Sequence, residues 1–263
     1  MRGVALAIGL AFTGCGGDED GGDTDSTTPT DSETDTGGDP TGGTTTPQAL
    51  SVTLRDPAGA GMGGINVNFC NAAGCRSGPT AADGSISFDN VELVPYALEP
   101  IAAEGSGLAT PLVPLTFAAD EVKAFDLVVP PLGPASPLGS TSEEEFQGLF
   151  VTVGAAGIQE PAFHEPATEI AGVLADPAAW PPINLPGTVL AVWYLAPFNY
   201  AAPAGLPTRI TNSYGLADGA TAHVYVGSYD DFAWLDGGTV TAGGGFLTGA
   251  SLPLLSTVVL IQE

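Results

Sequence analysis

Glycine and proline are spread so densely along this chain that long helices are excluded. The 263 residues include 37 Gly and 23 Pro, and inside a helix each glycine costs about 1 kcal/mol and each proline about 3 kcal/mol relative to alanine. The chain is not disordered throughout, because 44% of its residues are hydrophobic. Together these features predict an all-β protein of short strands and turns.

The charge of the chain restricts its partners. The formal net charge is −25, since 30 acidic residues stand against 5 basic ones. A protein that binds phosphates needs cations to neutralise them, and this sequence has few. We therefore expect no nucleic acid partner, and we expect anionic lipid headgroups to be poor partners.

The amino terminus has the parts of a short secretory signal. Arg2 supplies a positive charge, residues 4–12 are apolar, and small residues follow up to Cys15. The apolar stretch is too short to span a bilayer, which needs about 20 residues. The sequence therefore predicts export.

The end of this signal, Phe12-Thr13-Gly14-Cys15, resembles the lipobox of bacterial lipoproteins, in which cleavage exposes the cysteine for attachment of lipid. The resemblance implies a lipoprotein signal peptide at 1–14 and an acylated Cys15 that anchors the protein in a lipid bilayer. Two or three acyl chains, at about 0.8 kcal/mol per buried methylene, would make this anchor permanent. By resemblance to the enterobacterial sorting rule, the glycines after Cys15 imply the outer membrane. The alternative, a plain secretory signal with an incidental cysteine, stays open.

Residues 15–47 are predicted to be an acidic tether. After Cys15 the segment consists of 10 Thr, 8 Gly, 2 Ser, 3 Pro and 9 acidic residues. It cannot bury enough apolar surface to offset the entropy lost on ordering its backbone. We expect a disordered segment with an average span of about 30 Å. The acidic run at 18–25 does not have the glutamate and the flanking helices of a calcium loop, and we interpret it as a solvated charge run.

Apolar and polar residues alternate in four stretches of the region 48–131. Such alternation is typical of strands with one apolar face. Turn sequences separate the stretches, among them Ala82-Asp83-Gly84, and Asp-Gly is favoured in hairpin turns. Because each apolar face needs a second layer to cover it, the pattern predicts a β-sandwich. The alternating apolar residues are Val52 and Leu54; Ile65, Val67 and Phe69; Ile86 and Phe88; and Phe125, Leu127 and Val129.

The same region resembles the carboxypeptidase regulatory-like, or transthyretin-like, modules of bacterial secreted proteins. The resemblance rests on residues 52–56 with the glycine-rich turn after them, on the strand at 65–69, and on residues 80–88. It covers about 80 residues and implies a β-sandwich that acts as a scaffold or spacer rather than as a catalytic unit.

Cys70 and Cys75 are left as an even pair once Cys15 is assigned to lipid. In an exported protein such a pair is typical of a disulfide, and the four residues between them have the composition of a turn. Closing so small a ring is expected to stabilise the fold by about 2 kcal/mol. The alternatives are a redox pair and a metal site. The spacing differs from that of redox motifs, and no second pair completes a zinc site.

A proline-rich junction at 132–147 is predicted to separate this module from a second β-sandwich at 148–263. Within the junction, Ser142-Glu143-Glu144-Glu145 has the pattern of a capping box on a helical turn. Residues 169–174 are a further candidate for one or two helical turns. The second module resembles the β-sandwich repeats of large bacterial surface proteins, through residues 215–219 and 238–244. Its candidate strands are 149–153, 188–195, 206–211, 220–226, 239–241 and 254–261.

The sequence contains no Gly-x-Ser-x-Gly elbow, no phosphate-binding glycine loop with a lysine, and no His or Cys cluster with the spacing of metal ligands. The pair His164-Glu165 does not continue as a zinc-protease helix, since Pro166 would break it. His223 alternates with apolar residues and is interpreted as a surface or edge histidine. Asp230-Asp231 are adjacent, and adjacent strand residues point to opposite faces. We therefore predict that the protein is not an enzyme and has no cofactor or metal.

Aromatic residues beside acids are the remaining candidate site. Sugar-binding sandwiches use exposed rings to stack on sugars and carboxylates to accept hydroxyl hydrogen bonds. The alternative is that Trp193 and Trp234 are core residues, as large aromatic residues usually are. The candidate glycan-binding residues are Trp180, Tyr229, Asp230, Asp231 and Trp234.

The leading functional hypothesis is a lipoprotein of the bacterial cell envelope with two β-sandwich modules on a disordered tether. It would serve adhesion, recognition or envelope organisation, with a surface protein or a polysaccharide as partner. The alternative is a polysaccharide-binding module that uses the exposed aromatic residues and acids. A hydrolase with an acidic dyad is a third possibility.

Overall fold

The structure is a computed structural model that describes residues 48–102, 106–138, 143–154, 158–161 and 166–263. These residues belong to one compact unit. Strands and turns make up nearly all of them, and the one helical segment within these ranges is a 3-10 turn at Pro177–Ala179. No helix in the described ranges is long and apolar enough to cross a membrane. The prediction of an all-β protein is confirmed. The signal peptide, Cys15 and the tether lie outside the described residues.

Seven strands form the first module as two facing sheets. The strands are β1 (Ala49–Arg55), β2 (Asn66–Asn71), β3 (Gly74–Pro79), β4 (Ser85–Asp89), β5 (Tyr96–Ile101), β6 (Val113–Leu115) and β7 (Val122–Val128). One sheet has the order β4-β1-β7 and the other has the order β3-β2-β5-β6. The pair β1 and β7 is parallel, and the other pairs are antiparallel.

Alternating apolar side chains hold the two sheets of the first module together. Leu50, Val52 and Leu54 of β1 are fully buried, as is Phe69 of β2. The ring of Phe69 stacks on that of Tyr96 with 4.2 Å between the ring centroids. Burial of one such side chain contributes about 1.5–3 kcal/mol. The period-two pattern seen in the sequence is therefore the pattern that builds this core.

The predicted turn at Ala82-Asp83-Gly84 is present, but it joins strands of opposite sheets rather than the two strands of one hairpin. Gly84 has a φ of 84°, and its N–H donates to the carbonyl oxygen of Ala81 at 2.9 Å. A Cβ on Gly84 would lie 2.3 Å from the carbonyl oxygen of Leu54. The backbone of β1 fills the space beside the turn, so only glycine fits there.

Ten strands form the second module as one sheet. The strands are β8 (Ser136–Pro137), β9 (Glu143–Phe146), β10 (Leu149–Thr152), β11 (Glu169–Leu174), β12 (Thr188–Ala196), β13 (Tyr200–Thr211), β14 (Thr221–Ser228), β15 (Ala233–Gly243), β16 (Phe246–Leu255) and β17 (Thr257–Gln262). Their order is β8-β11-β12-β17-β14-β15-β16-β13-β10-β9. A Cβ on Gly172 of β11 would lie 2.8 Å from the ring of Phe146 of β9. Because β9 and β11 belong to opposite ends of the order, the sheet curls on itself and its two halves face each other as the layers of a sandwich.

The strand β12 is buried on both faces, as its continuous apolar sequence predicts. Trp193 and Leu195 belong to the inner core that the curled sheet encloses. Val192 and Tyr194 belong to a second cluster on the outer face of the sheet. We call these the inner core and the outer cluster.

Two segments predicted as helical turns are strands, so those predictions are wrong. Glu143–Phe146, within the predicted junction, pairs with β10 across a two-residue turn at Gln147 and Gly148, which have φ values of 48° and 91°. Two positive φ values are typical of the turns that close hairpins. Glu169–Leu174 pairs with β12. In both segments, pairing with neighbouring strands overrides the local preference for a helix.

The two modules contact each other through buried residues. The N–H of Leu112 in the first module donates to Thr257 Oγ1 of the second at 2.8 Å. The side chain of Leu112 is fully buried, and a Cβ on Gly227 of β14 would lie 3.2 Å from its Cδ2 atom. Ala109 belongs to the outer cluster of the second module. We call this contact the module interface.

Candidate functional site

The predicted disulfide between Cys70 and Cys75 is confirmed. The two cysteines are direct partners across the β2–β3 hairpin. The hydroxyl of Tyr229, from the second module, lies 3.0 Å from the Sγ atom of Cys70 and 3.2 Å from that of Cys75. Disulfide sulfurs carry no hydrogen, so the hydroxyl is the donor to both. The disulfide therefore lies at the module interface.

Tyr229 is held in place by other aromatic rings. Its ring meets that of Phe198 edge-on at 6.4 Å between centroids, and that of Phe232 at 6.3 Å. Desolvation raises the pKa of Tyr229, and the negative charges of Glu99 and Asp230 raise it further. The hydroxyl is therefore protonated at neutral pH, as its donor role requires.

Glu99 is a buried acid on β5, and its charge acts on Tyr229. The amide nitrogen of Asn68 donates to Glu99 Oε2 at 3.5 Å. Burial raises the pKa of Glu99 to about 7, because a carboxylate loses its hydration there. Nothing in the sequence marks this residue, since one acid among thirty carries no signal that it is buried.

Asp230 and Asp231 lie in the turn after β14, and each has its own partner. Asp231 Oδ2 accepts from Ser228 Oγ at 2.7 Å, while the N–H of Asp231 donates to the same hydroxyl at 3.1 Å. Asp230 Oδ2 accepts from the side-chain amide of Asn199 at 3.5 Å. The Ser228 contacts stabilise the turn that presents Tyr229.

Trp180 and Trp234 both pack against the outer cluster. Trp180 Nε1 donates to the carbonyl oxygen of Ala175 at 3.3 Å. Trp234 Nε1 is buried, and the described part of the protein offers it no hydrogen-bond partner. The five candidate glycan-binding residues thus fall in two places, the outer cluster and the turn over the disulfide, where their contacts are with other parts of the protein.

A row of polar side chains on β14 and β15 was not anticipated. His223 Nε2 lies 2.7 Å from Asp236 Oδ1, and Thr239 Oγ1 lies 3.5 Å from His223 Nδ1. The ring of Tyr225 lies 4.6 Å from that of His223. The hydrogen bond from His223 lowers the pKa of Asp236. The order of the three groups resembles that of a catalytic triad, and the row lies along the two neighbouring strands β14 and β15.

An open groove of about 580 Å³ lies between the modules. The first module contributes the segment that contains Thr116, Phe117, Glu121 and Lys123, and the second contributes residues 182–184. Lys123 Nζ lies 2.6 Å from Glu121 Oε1. We call this cavity the groove. Over the described ranges, no group of three His, Cys, Asp or Glu side chains is placed to hold a metal ion.

No protein-family model matches the sequence, and no curated protein matches it. Among solved structures, a streptococcal ancillary pilin is 15% identical, with 46% of this chain and 43% of the pilin covered and a TM-score of 0.30. The major pilin SpaD from Corynebacterium diphtheriae is 12% identical, with 82% of this chain and 51% of the pilin covered and a TM-score of 0.27. The TIE protein of Bacillus anthracis is 10% identical, with 78% and 43% covered and a TM-score of 0.29. The chain thus spans less than half of the first of these structures. TM-scores of this size carry no argument about function, and the resemblance to carboxypeptidase regulatory-like modules stays a prediction.

Proposed function

We propose that this protein is an exported, non-enzymatic lipoprotein of the bacterial cell envelope. It holds a two-module β-sandwich body outside the cytoplasm, on an acidic tether that starts at the acylated Cys15. Its role is adhesion, recognition or envelope organisation. The bilayer is one partner through Cys15, and a surface protein or a polysaccharide is the other.

The disulfide under Tyr229 carries this proposal. Both sulfurs contact the Tyr229 hydroxyl at 3.0 and 3.2 Å, so the bond is part of the contact between the modules. Disulfides form and persist in oxidising compartments, outside the reducing cytosol. The disulfide at the module interface therefore favours the same location outside the cytosol that the predicted secretory signal implies.

The arrangement of the acids supports a role without catalysis. Asp231 is bonded to Ser228 in its turn, and Asp236 is bonded to His223 and also accepts from the N–H of Gly238 at 2.6 Å. These carboxylates are used to hold strands and turns together. A general acid and base pair would instead have to share a pocket with a substrate.

Fractionation of cells tests the anchor. The native protein and a Cys15→Ala variant would be expressed with labelled palmitate, and Thr24→Ala in the tether would serve as the matched control. The native and control proteins should carry label and enter the outer-membrane fraction, while Cys15→Ala should carry none and leave that fraction. Label-free native protein, or Cys15→Ala that stays in the membrane, would contradict lipid anchoring.

Mass spectrometry of the exported protein tests the compartment. The peptide that contains Cys70 and Cys75 should be two mass units lighter before reduction than after it, because the oxidised pair has lost two hydrogens. Free thiols at both positions in protein taken directly from cells would contradict export.

A further inference from the structure

We propose that the groove between the two modules binds a neutral carbohydrate chain. This proposal deepens the recognition role proposed above and rests on it. This site is separate from Trp180, Tyr229 and Trp234, whose rings pack against other parts of the protein.

The groove has the size and the place of a ligand site. Its volume of about 580 Å³ falls within the range of about 300–1,000 Å³ that small-molecule sites occupy, and such sites occur preferentially where domains meet. Residues of both modules line it, so the site exists only when the modules are docked. The Nδ2 atom of Asn184 in the second module donates to Thr116 Oγ1 of the first at 3.3 Å, and both residues line the groove.

The polar groups of the groove match sugar hydroxyls. An ammonium group has three hydrogens, and the contact of Lys123 with Glu121 uses one of them. Asn184 has a carbonyl oxygen and a second amide hydrogen besides the contact to Thr116. Sugar hydroxyls both donate and accept hydrogen bonds, so they can use this mixture of donors and acceptors.

The charges of the groove favour a neutral ligand over an acidic one. The hydrogen bond from Lys123, followed by that from the N–H of Ala118, lowers the pKa of Glu121. Glu121 therefore stays ionised and compensates the charge of Lys123, the only lysine in the sequence. Asp120 is exposed next to it, in a chain of net charge −25. A phosphate or a uronic acid would meet a negative field without an uncompensated cation.

Apolar groups complete the groove. Pro182 and Ile183 line one side and Phe117 lines the other, with the ammonium group of Lys123 5.4 Å from the centre of the Phe117 ring. The carbon–hydrogen faces of sugar rings pack on such surfaces, while their hydroxyls reach the polar groups. Pro181 is buried, and Trp180 packs on the outer cluster, so Trp180 is a positioning residue for the loop that lines the groove.

The single lysine allows a direct test. The protein as it accumulates in cells would be labelled with ¹⁵N-lysine and purified in detergent, so that one backbone amide signal reports on the groove. The probes are maltoheptaose, laminarihexaose, cellohexaose and mannohexaose, with trigalacturonic acid as the acidic probe. At least one neutral probe should shift the Lys123 signal saturably, and trigalacturonic acid should shift it less. No shift with any neutral probe, or tighter binding of the acidic one, would overturn the proposal.

Variants assign the binding to the groove. By titration calorimetry, Asn184→Ala and Lys123→Ala should each weaken binding of that probe at least tenfold. Arg55→Ala is the matched control, since it removes the same charge from a residue paired with Asp126 away from the groove, and it should bind as the native protein does. Circular dichroism would verify that all variants are folded.

Binding that survives both groove variants but disappears in Trp234→Ala or Tyr229→Phe would place the sugar at the aromatic residues and overturn the proposal. None of these results depends on the fractionation of Cys15→Ala, so the failure of one proposal is distinguishable from the failure of the other.

Discussion

The two modules bury their apolar residues in different ways. In the first, two sheets cover each other and share one core. In the second, one curled sheet encloses an inner core, and its outer face carries a further cluster that includes Ala109 of the first module. A sheet that is apolar on both faces needs a second cover. The second module thus depends on its neighbour for part of its burial, whereas the first module packs its core with its own strands.

Removal of the largest side chain in the inner core should lower the free energy of unfolding more than any of the other substitutions below. Trp193 is fully buried, and Trp193→Ala should lower the free energy of unfolding by about 3–5 kcal/mol, because it leaves a cavity. Denaturant unfolding monitored by circular dichroism would measure it. Phe69→Ala is the counterpart in the first module, and Leu174→Ala, at an exposed position, is the control. If the modules are one cooperative body, both core variants shift a single transition; two transitions of which only one moves would show independent modules.

The module interface should contribute to the stability of the protein through Leu112. Leu112→Ala removes a fully buried side chain that lies over Gly227. It should lower the free energy of unfolding by about 3 kcal/mol. It should also increase the rate of hydrogen exchange of the backbone amides in β14 and β17. Unchanged exchange in the second module would show that the first module does not cover it. Leu93→Ala, at an exposed position of the first module, is the matched control.

Glu99 should make the stability of the folded protein depend on pH. Its pKa is raised from 4.5 to about 7 on folding, so the folded state binds more protons than the unfolded state between these values. Its contribution to stability is full below pH 4.5 and is lost as the pH rises to about 7, by about 3 kcal/mol. Glu99→Gln should remove this dependence and stabilise the protein at pH 8. The measurement is denaturant unfolding at pH 4.5, 6 and 8, and an equal pH dependence in Glu99→Gln would contradict the assignment.

The disulfide and the hydroxyl contact that it receives from Tyr229 should contribute least to stability. Replacement of both Cys70 and Cys75 by alanine should lower stability by about 2 kcal/mol, since the closed ring is small. Tyr229→Phe keeps the ring and loses only the hydroxyl contact, and it should cost less than about 1 kcal/mol. Thermal unfolding of both variants measures the difference. A loss with Tyr229→Phe as large as that with the double variant would mean that the hydroxyl contact, rather than the covalent bond, stabilises this end of the interface.

Strands were predictable from the sequence where the pattern of apolar residues matched the burial of their side chains. The alternation of Val52 and Leu54 follows directly from a strand with one buried face, and the apolar run at 189–195 follows from burial on both faces. The strands Glu143–Phe146 and Glu169–Leu174 were not predicted, for different reasons. Glu143–Phe146 pairs with β10 across a two-residue turn, but its run of glutamates is also typical of the start of a helix. Glu169–Leu174 pairs with β12, which is separated from it along the chain by the 3-10 turn. Gly172 of this strand lies beside Phe146 and Leu195 in space, and nothing near it in sequence indicates those contacts.

The candidate sites also divide into those that local sequence indicates and those that depend on residues far apart in the chain. Trp180, Tyr229 and Trp234 were singled out because rings beside acids are typical of sugar sites, yet a sequence does not tell an exposed ring from a packed one. The groove combines Lys123 with Asn184, 61 positions further along the chain, and no spacing rule connects them. The disulfide was predictable because its two cysteines are close in sequence and joined by a turn.

Composition and local pattern were enough to establish the all-β architecture, the strands with alternating side chains and the pairing of Cys70 with Cys75. Each of these depends on interactions between residues that are close along the chain or on the average hydrophobicity of a segment. The curl of the second sheet, the burial of Glu99, the contact of Tyr229 with the disulfide and the groove were decided by the tertiary structure. They depend on which surfaces meet when the modules dock, and docking is set by the shape and burial of whole faces.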